Sequence, residues 1–366
     1  MDVMRAVVVG GGAIGLGAAW RAARRGIDVV VVDPTPAEGA SRVAAGMLAP
    51  VTEVHYGEED LLALTLDSSR RYPDFVAALE EASGLPVGYR ACGTLAVARD
   101  GDDLAELHRV ADYQERLGLT VERVRARDCR SLEPALAPSI RGGVLVEGDH
   151  QVDPRRLLAA LLGACRRAGV EHVAARALRW EPGRVHVDAG PAIEADVVVL
   201  AAGAWSGRLE GLPADVAALV RPVKGQLLRL HGDAVLSRNV RGLDAYLVPR
   251  TDGEVVVGAT VEERGFDPMI TAGAVHDLLR AAVELVPDVR ELAIVSTDAG
   301  FRPGTPDNAP LIGLAEEGLA LATGHYRNGI LLTPVTADAI ADLLVSGQLP
   351  EVARPFGPDR FASARA

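Results

Sequence analysis

The sequence is poor in cysteine, holding Cys92, Cys129 and Cys165 in 366 residues with no C-x-x-C pair. That excludes a disulfide framework and a zinc ribbon, and suits a reducing compartment. Metal-site patterns are equally absent: there is no H-E-x-x-H, and the eight histidines are scattered rather than clustered with Cys or Asp. No metal is expected. Nowhere does an apolar run reach the roughly eighteen residues that a membrane helix needs. The opening run Arg5-Ala6-Val7-Val8-Val9 is too short for a signal peptide, so a soluble cytoplasmic protein without a membrane partner is expected. An excess of base is missing too. The formal charge is −12, from 38 Lys and Arg against 50 Asp and Glu, which argues against nucleic acid, because phosphate binding needs clustered cations. The local arginine groups at 21–25, 123–130 and 165–167 read as solvated faces.

What is present is a globular composition, 49% hydrophobic and 24% charged, long enough for two domains or one elaborated α/β unit. Apolar runs at 5–9 and 28–32 flank a glycine turn and an Ala-rich helical stretch at 13–25, which reads as a βαβ unit with strands buried on both faces. Helix is expected over 59–83, with Pro73 as a break or kink. Further helices are expected over 102–118, 155–168, 272–285 and 328–345. Strand signals occur at 92–98, 143–146, 197–201, 292–297 and 318–323. Those at 224–230, 245–250 and 254–260, separated by turn residues, predict an antiparallel sheet in a second domain. The tail after about residue 354 reads as loosely held.

Gly10-Gly11-Gly12-Ala13-Ile14-Gly15 matches G-x-G-x-x-G, a weak signal alone. Its context makes it specific, because it leaves a buried strand, opens a helix and is answered by Asp33 about twenty residues on. Gly10 permits the turn, Gly12 lets backbone approach a diphosphate, and Gly15 lets helix and strand pack, with the diphosphate at the positive end of the helix. Asp33 suits ribose hydroxyls and would repel a 2′-phosphate, which disfavours NADP.

Other segments separate FAD from NAD. The small residues around Ala44, Ala45, Gly46 and Met47 can lie against a ring system. Ala202-Gly203-Ala204-Trp205 and Gly324-His325-Tyr326-Arg327-Asn328-Gly329-Ile330 each place glycine where a buried strand ends. Amides at the helix start after His325 could face the N1–C2=O edge of a flavin.

With Val223-Lys224-Gly225, Tyr246-Leu247-Val248-Pro249-Arg250, Val257-Gly258-Ala259-Thr260 and Gly300-Phe301-Arg302-Pro303-Gly304-Thr305, these motifs make the chain resemble, over about residues 5–345, the glycine oxidases of thiamine biosynthesis. Those enzymes belong to the D-amino-acid oxidase and sarcosine oxidase superfamily of FAD-dependent oxidoreductases. The resemblance implies a Rossmann-like FAD-binding domain from residues 1–86, 150–219 and 300–366. It also implies a smaller α+β substrate domain on an antiparallel sheet, from 87–149 and 220–299.

The same resemblance implies FAD contacts at the glycine-rich segments above and at Gly300 and Arg302. It further implies a substrate carboxylate held by Arg302 and Tyr246, with Arg327 as a second pocket arginine, and a homotetramer. Non-covalent FAD is expected, because sarcosine oxidases attach it through a C-terminal cysteine and none follows Cys165 here. The expected reaction is oxidative deamination of glycine, sarcosine or D-alanine, with oxygen reduced to hydrogen peroxide. No acid or base is assigned, and His325 is read as packing beside the flavin. Asp244 and Val261 stand where the family often has histidine and methionine, and Asp33 where glutamate is more usual. The alternatives are a D-amino-acid dehydrogenase serving another acceptor and a flavin-binding module without turnover. A serine hydrolase is disfavoured, because in Gly203-Ala204-Trp205-Ser206-Gly207 the serine falls one place late for a nucleophile elbow.

Overall fold

A computed structural model describes residues 3–365. Two sheets organise the chain. The first runs in the order Leu311–Glu316, Leu319–Thr323, Val197–Leu200, Arg5–Val9, Asp28–Val32, Glu171–Val173. Its pairings are parallel except for the hairpin between Leu311–Glu316 and Leu319–Thr323. Alternation divides the valines of the two leading strands between two cores. Ala6, Val8, Val29 and Val31 face the helices Ala13–Ala23, Glu59–Ser83, Pro154–Arg167 and Thr333–Ser346. Val7, Val9, Val30 and Val32 face a small three-stranded sheet through Trp180 and Val185. The expected α/β class is thus present, with both faces of the parallel sheet covered.

The second sheet has eight strands, ordered Ala293–Gly304, Arg221–His231, Glu254–Gly258, Tyr246–Pro249, Asn239–Arg241, Thr94–Ala98, Gly142–Val146, Glu122–Arg125. It is antiparallel apart from the pairing of Asn239–Arg241 with Thr94–Ala96. One face packs Leu228, Leu230, Val255 and Val257 against the helix Ala272–Leu285. The other turns Leu227, Val248 and Val256 toward Ala45, so the two sheets meet at the small-residue segment after the second Rossmann strand. The strand Ala293–Gly304 runs across residues 299 and 300, joining the two regions without a linker.

Several expectations need correction. Pro73 does not break its helix, which is continuous over Glu59–Ser83. Proline forfeits one backbone bond, but Leu64, Tyr72, Phe75 and Leu79 are buried on one face around it and hold the helix to the core. The last helix begins at Thr333, not 328, with a 3-10 turn at Tyr326–Asn328 before it. Pro334 has no N–H for the Ile330 carbonyl, so it belongs in a first turn. The tail is not loose up to residue 361: Ala353 and Phe356 are buried, and Arg360 pairs with Asp307 at 2.8 Å. No helix among the described residues is long and apolar enough to cross a membrane.

Candidate flavin and substrate site

The glycine turn closes as its spacing requires. A β-carbon on Gly10, whose φ is +113°, would collide with the Ala201 carbonyl, and one on Gly15 with the Gly10 carbonyl. Gly12 is the N-cap of the helix Ala13–Ala23, with no side-chain cap and no acid in the first turn. The amide of Ala13 meets only the Ser41 hydroxyl, at 3.1 Å. Asp33 is oriented by backbone, accepting from the Gly11 amide at 2.7 Å and the Thr35 amide at 2.8 Å. An acid-free helix start, a glycine cradle and a fixed carboxylate at the strand end are the donor and acceptor set for a diphosphate and a ribose. These residues therefore fit the adenosine diphosphate half of FAD.

Two buried arginines of the second sheet grip the segment that follows. Arg229, 1% exposed, pairs with Glu254 at 2.8 Å and donates to the carbonyls of Arg42 and Val43. Arg250 donates to the carbonyls of Ala45 and Val152 and to the Gln151 side chain; burial lowers its pKa to about 10. Gly46, at φ +82°, abuts the Val152 carbonyl, and Met47 pairs with Gln151. A β-carbon on Gly300 would lie 3.2 Å from Val43, so the long strand also closes on this segment. Neither Arg229 nor Arg250 was foreseen in this role.

At the far end of the parallel strands, Thr323 donates to the Gly203 carbonyl at 3.2 Å and contacts Ser206 at 2.7 Å, which ties the Ala202-Gly203 turn to the strand Leu319–Thr323. Trp205 points outward, 46% exposed against Phe266 and Phe301. His325 is buried beside the Thr336 hydroxyl at 3.0 Å, and burial pushes its pKa down to about 3. It is therefore neutral and packs. The loop at 328–331 is held by the long helix, because Tyr72 donates to the Ile330 carbonyl at 3.0 Å and Ser68 to that of Leu331 at 2.6 Å.

Tyr246 and Arg302 lie on the same sheet face, the one that looks toward Ala45. Tyr246 lies over Gly258, its cross-strand partner, and the Arg302 guanidinium lies over Gly225. Both glycines leave the space those side chains occupy. Burial raises the Tyr246 pKa, so the phenol keeps its proton to donate, while Arg302 nearby acts in the opposite sense. Arg302 donates only to carbonyls, Thr260 at 3.0 Å and Lys224 at 3.4 Å, and has no acid partner among the described residues. A half-buried guanidinium with its planar fork and no acid partner among the described residues suits a carboxylate.

Arg327 is differently placed. It pairs with Glu58 at 3.0 Å and Glu53 at 3.6 Å, and Glu53 also holds Arg241 at 2.6 Å. Asp244 is drawn outward to Arg99 at 2.7 Å, and Val261 is 65% exposed. Sequence reading missed Glu53 and Arg241; the one available signal was the place of Arg241 across the hairpin from Tyr246.

A family model described as FAD dependent oxidoreductase, DAO, matches residues 5–343. The chain is 36% identical to the bifunctional protein ThiO/ThiG of Synechocystis sp. over 97% of its own length and 54% of that protein. It spans about half the length of the curated ThiO/ThiG relatives it matches. To the glycine oxidase of Geobacillus kaustophilus it is 33% identical, with 92% of each chain covered. The crystal structure of glycine oxidase from that organism superposes with a TM-score of 0.90, covering 98% of this chain and 99% of the other.

Proposed function

The chain belongs to the DAO family of FAD-dependent oxidoreductases, and on that premise we propose that it is an oxidase of small amino acids, with glycine, sarcosine and D-alanine as candidate substrates. The overall reaction for glycine takes up oxygen and water and yields glyoxylate, ammonia and hydrogen peroxide. The observation that carries this reading is the acid-free guanidinium of Arg302 beside the Tyr246 phenol, on the sheet face that closes on the flavin-side segment Val43–Met47.

FAD, when bound, supplies the hydride acceptor. The protein's residues supply binding and orientation. Arg302 pairs with the substrate carboxylate, Tyr246 donates its phenol hydrogen to the same group, and the two fix the Cα–H direction. His325 neither gives nor takes a proton near neutrality. An amine that enters neutral requires no protein base. Supply of an imine to thiazole formation in thiamine synthesis is the biological role that the ThiO/ThiG likeness supports, and a homotetramer is the assembly proposed with it.

Purified protein mixed anaerobically with each of the three amines tests the reading. Bleaching of the bound FAD absorbance by at least one, and peroxide formation in air, are expected. Bleaching without peroxide would identify a dehydrogenase serving another acceptor, and an unchanged spectrum with every amine would leave a flavin-binding module.

A further inference from the structure

Arg241 and Tyr246 are direct cross-strand partners, so their side chains rise from the same face of the sheet. Arg241, Arg302 and Arg229 all bear on the Tyr246 phenol, as does the opposing charge of Glu53. Three guanidiniums thus act electrostatically on the phenol, and their pairing differs. Arg229 is closed by Glu254 and Asp298, and Arg241 by Glu53. Arg302 has no acid. A fourth guanidinium, Arg327, shares Glu53 and adds Glu58, while its buried Nε finds no hydrogen-bond acceptor. Burial pushes the Glu53 carboxyl up, but Arg241 and Arg327 together hold it below the ordinary carboxylate range, so it is ionised at neutral pH.

We propose that Glu53 is a specificity-determining residue that sets the charge class of the substrate: amines with one carboxylate are accepted, and those with a second carboxylate at the far end are rejected. This rests on the substrate reading given above. The first carboxylate takes Arg302, the guanidinium left open. A second, on the far side of the amine, would reach toward Arg241 and Arg327 and meet the Glu53 charge already seated between them. Two carboxylates in a partly desolvated pocket repel, and neither cation is free to compensate. Glu53 touches no reacting atom in this account. Its effect falls on substrate binding, and removing its charge frees the Arg241 guanidinium for a diacid while Arg327 keeps Glu58 at 3.0 Å.

Sarcosine and iminodiacetate differ by one carboxylate in place of a hydrogen, and they make the decisive pair. In holoenzyme carrying Glu53→Gln, the ratio of kcat/KM for iminodiacetate to that for sarcosine is expected to rise at least 30-fold over wild type, mainly through KM. Arg241→Gln added to Glu53→Gln should abolish most of that gain, and Glu53→Asp should keep the wild-type order. A ratio within threefold of wild type in Glu53→Gln would overturn the proposal. Should that variant not fold, wild-type holoenzyme still decides. Binding followed by flavin absorbance should favour methoxyacetate over its diacid counterpart diglycolate by at least tenfold, and equal or tighter diglycolate binding would overturn the proposal. Failure of wild type to oxidise any monocarboxylic amine would instead sink the substrate reading itself.

Discussion

The Arg302 guanidinium lies so close over Gly225 that a β-carbon there would stand 2.6 Å from Cζ. The clash is with the end of a flexible side chain, not with backbone. Gly225→Ala should therefore fold, with a melting temperature within a few degrees of wild type, while displacing the guanidinium from its place beside Tyr246. We expect KM for glycine to rise about tenfold or more, the equivalent of roughly 1.4 kcal/mol of lost binding. Steady-state kinetics beside a thermal melt check both halves. Unchanged kinetics would show that the position of Arg302 is unimportant.

Lys224 is the one lysine of the sequence and is fully buried. It donates to the Met269 carbonyl and lies 3.7 Å from Asp267 and 4.0 Å from Glu262, stapling the 262–269 loop to the sheet. Both acids keep some access to water, so the cost of Lys224→Met should fall at or below the low end of the range for a broken buried pair, about 3 kcal/mol. Denaturant unfolding measures it. An amine-directed reagent should modify Lys224 only in unfolded protein.

Two buried groups pull the acid limb of stability in opposite directions. His325 stays neutral in the fold to about pH 3, while in the unfolded chain it takes up a proton below about 6.5. Its contribution is thus whole above pH 6.5 and is lost as pH falls toward 3. Asp149 behaves in reverse, because burial raises its pKa to about 6 despite bonds from Val51 and Thr52. The fold holds that proton longer than the unfolded chain does, so stability falls as pH rises from about 4 to 6. In that window Asp149→Asn should steepen the rise of melting temperature with pH, and His325→Gln should flatten or reverse it. Melts at half-unit intervals from pH 4 to 7 decide.

The Rossmann unit was legible because its signal is local: consecutive apolar runs, three glycines and an acid within thirty-odd residues. The helix at 272–285 was equally plain, its bounds coinciding with those observed. The buried arginines were not legible. Charge ordinarily marks the surface, and nothing near Arg229 or Arg250 announces that carbonyls some two hundred positions away will satisfy them. Glu53, Arg241 and Arg327 likewise come from three distant segments, a turn, a strand end and a 3-10 turn, that meet only in the folded chain. Of the break or kink expected at Pro73, the break is absent for a similar reason, since its local cost is outweighed by a tertiary face that the sequence does not display.

One guanidinium, that of Arg302, is proposed to hold the acid group of an amino acid against bound FAD. Arg302→Ala removes one partner of the ion pair proposed with the substrate carboxylate; with that pair shielded from water by bound substrate and FAD, the loss is about 3–5 kcal/mol. Rapid anaerobic mixing of wild type and variant with the best substrate, at matched FAD occupancy, measures this directly. The predicted result is a fall of several hundred-fold or more in the second-order rate of flavin bleaching, with the FAD spectrum otherwise retained. A variant within tenfold of wild type would contradict the account and place the carboxylate elsewhere.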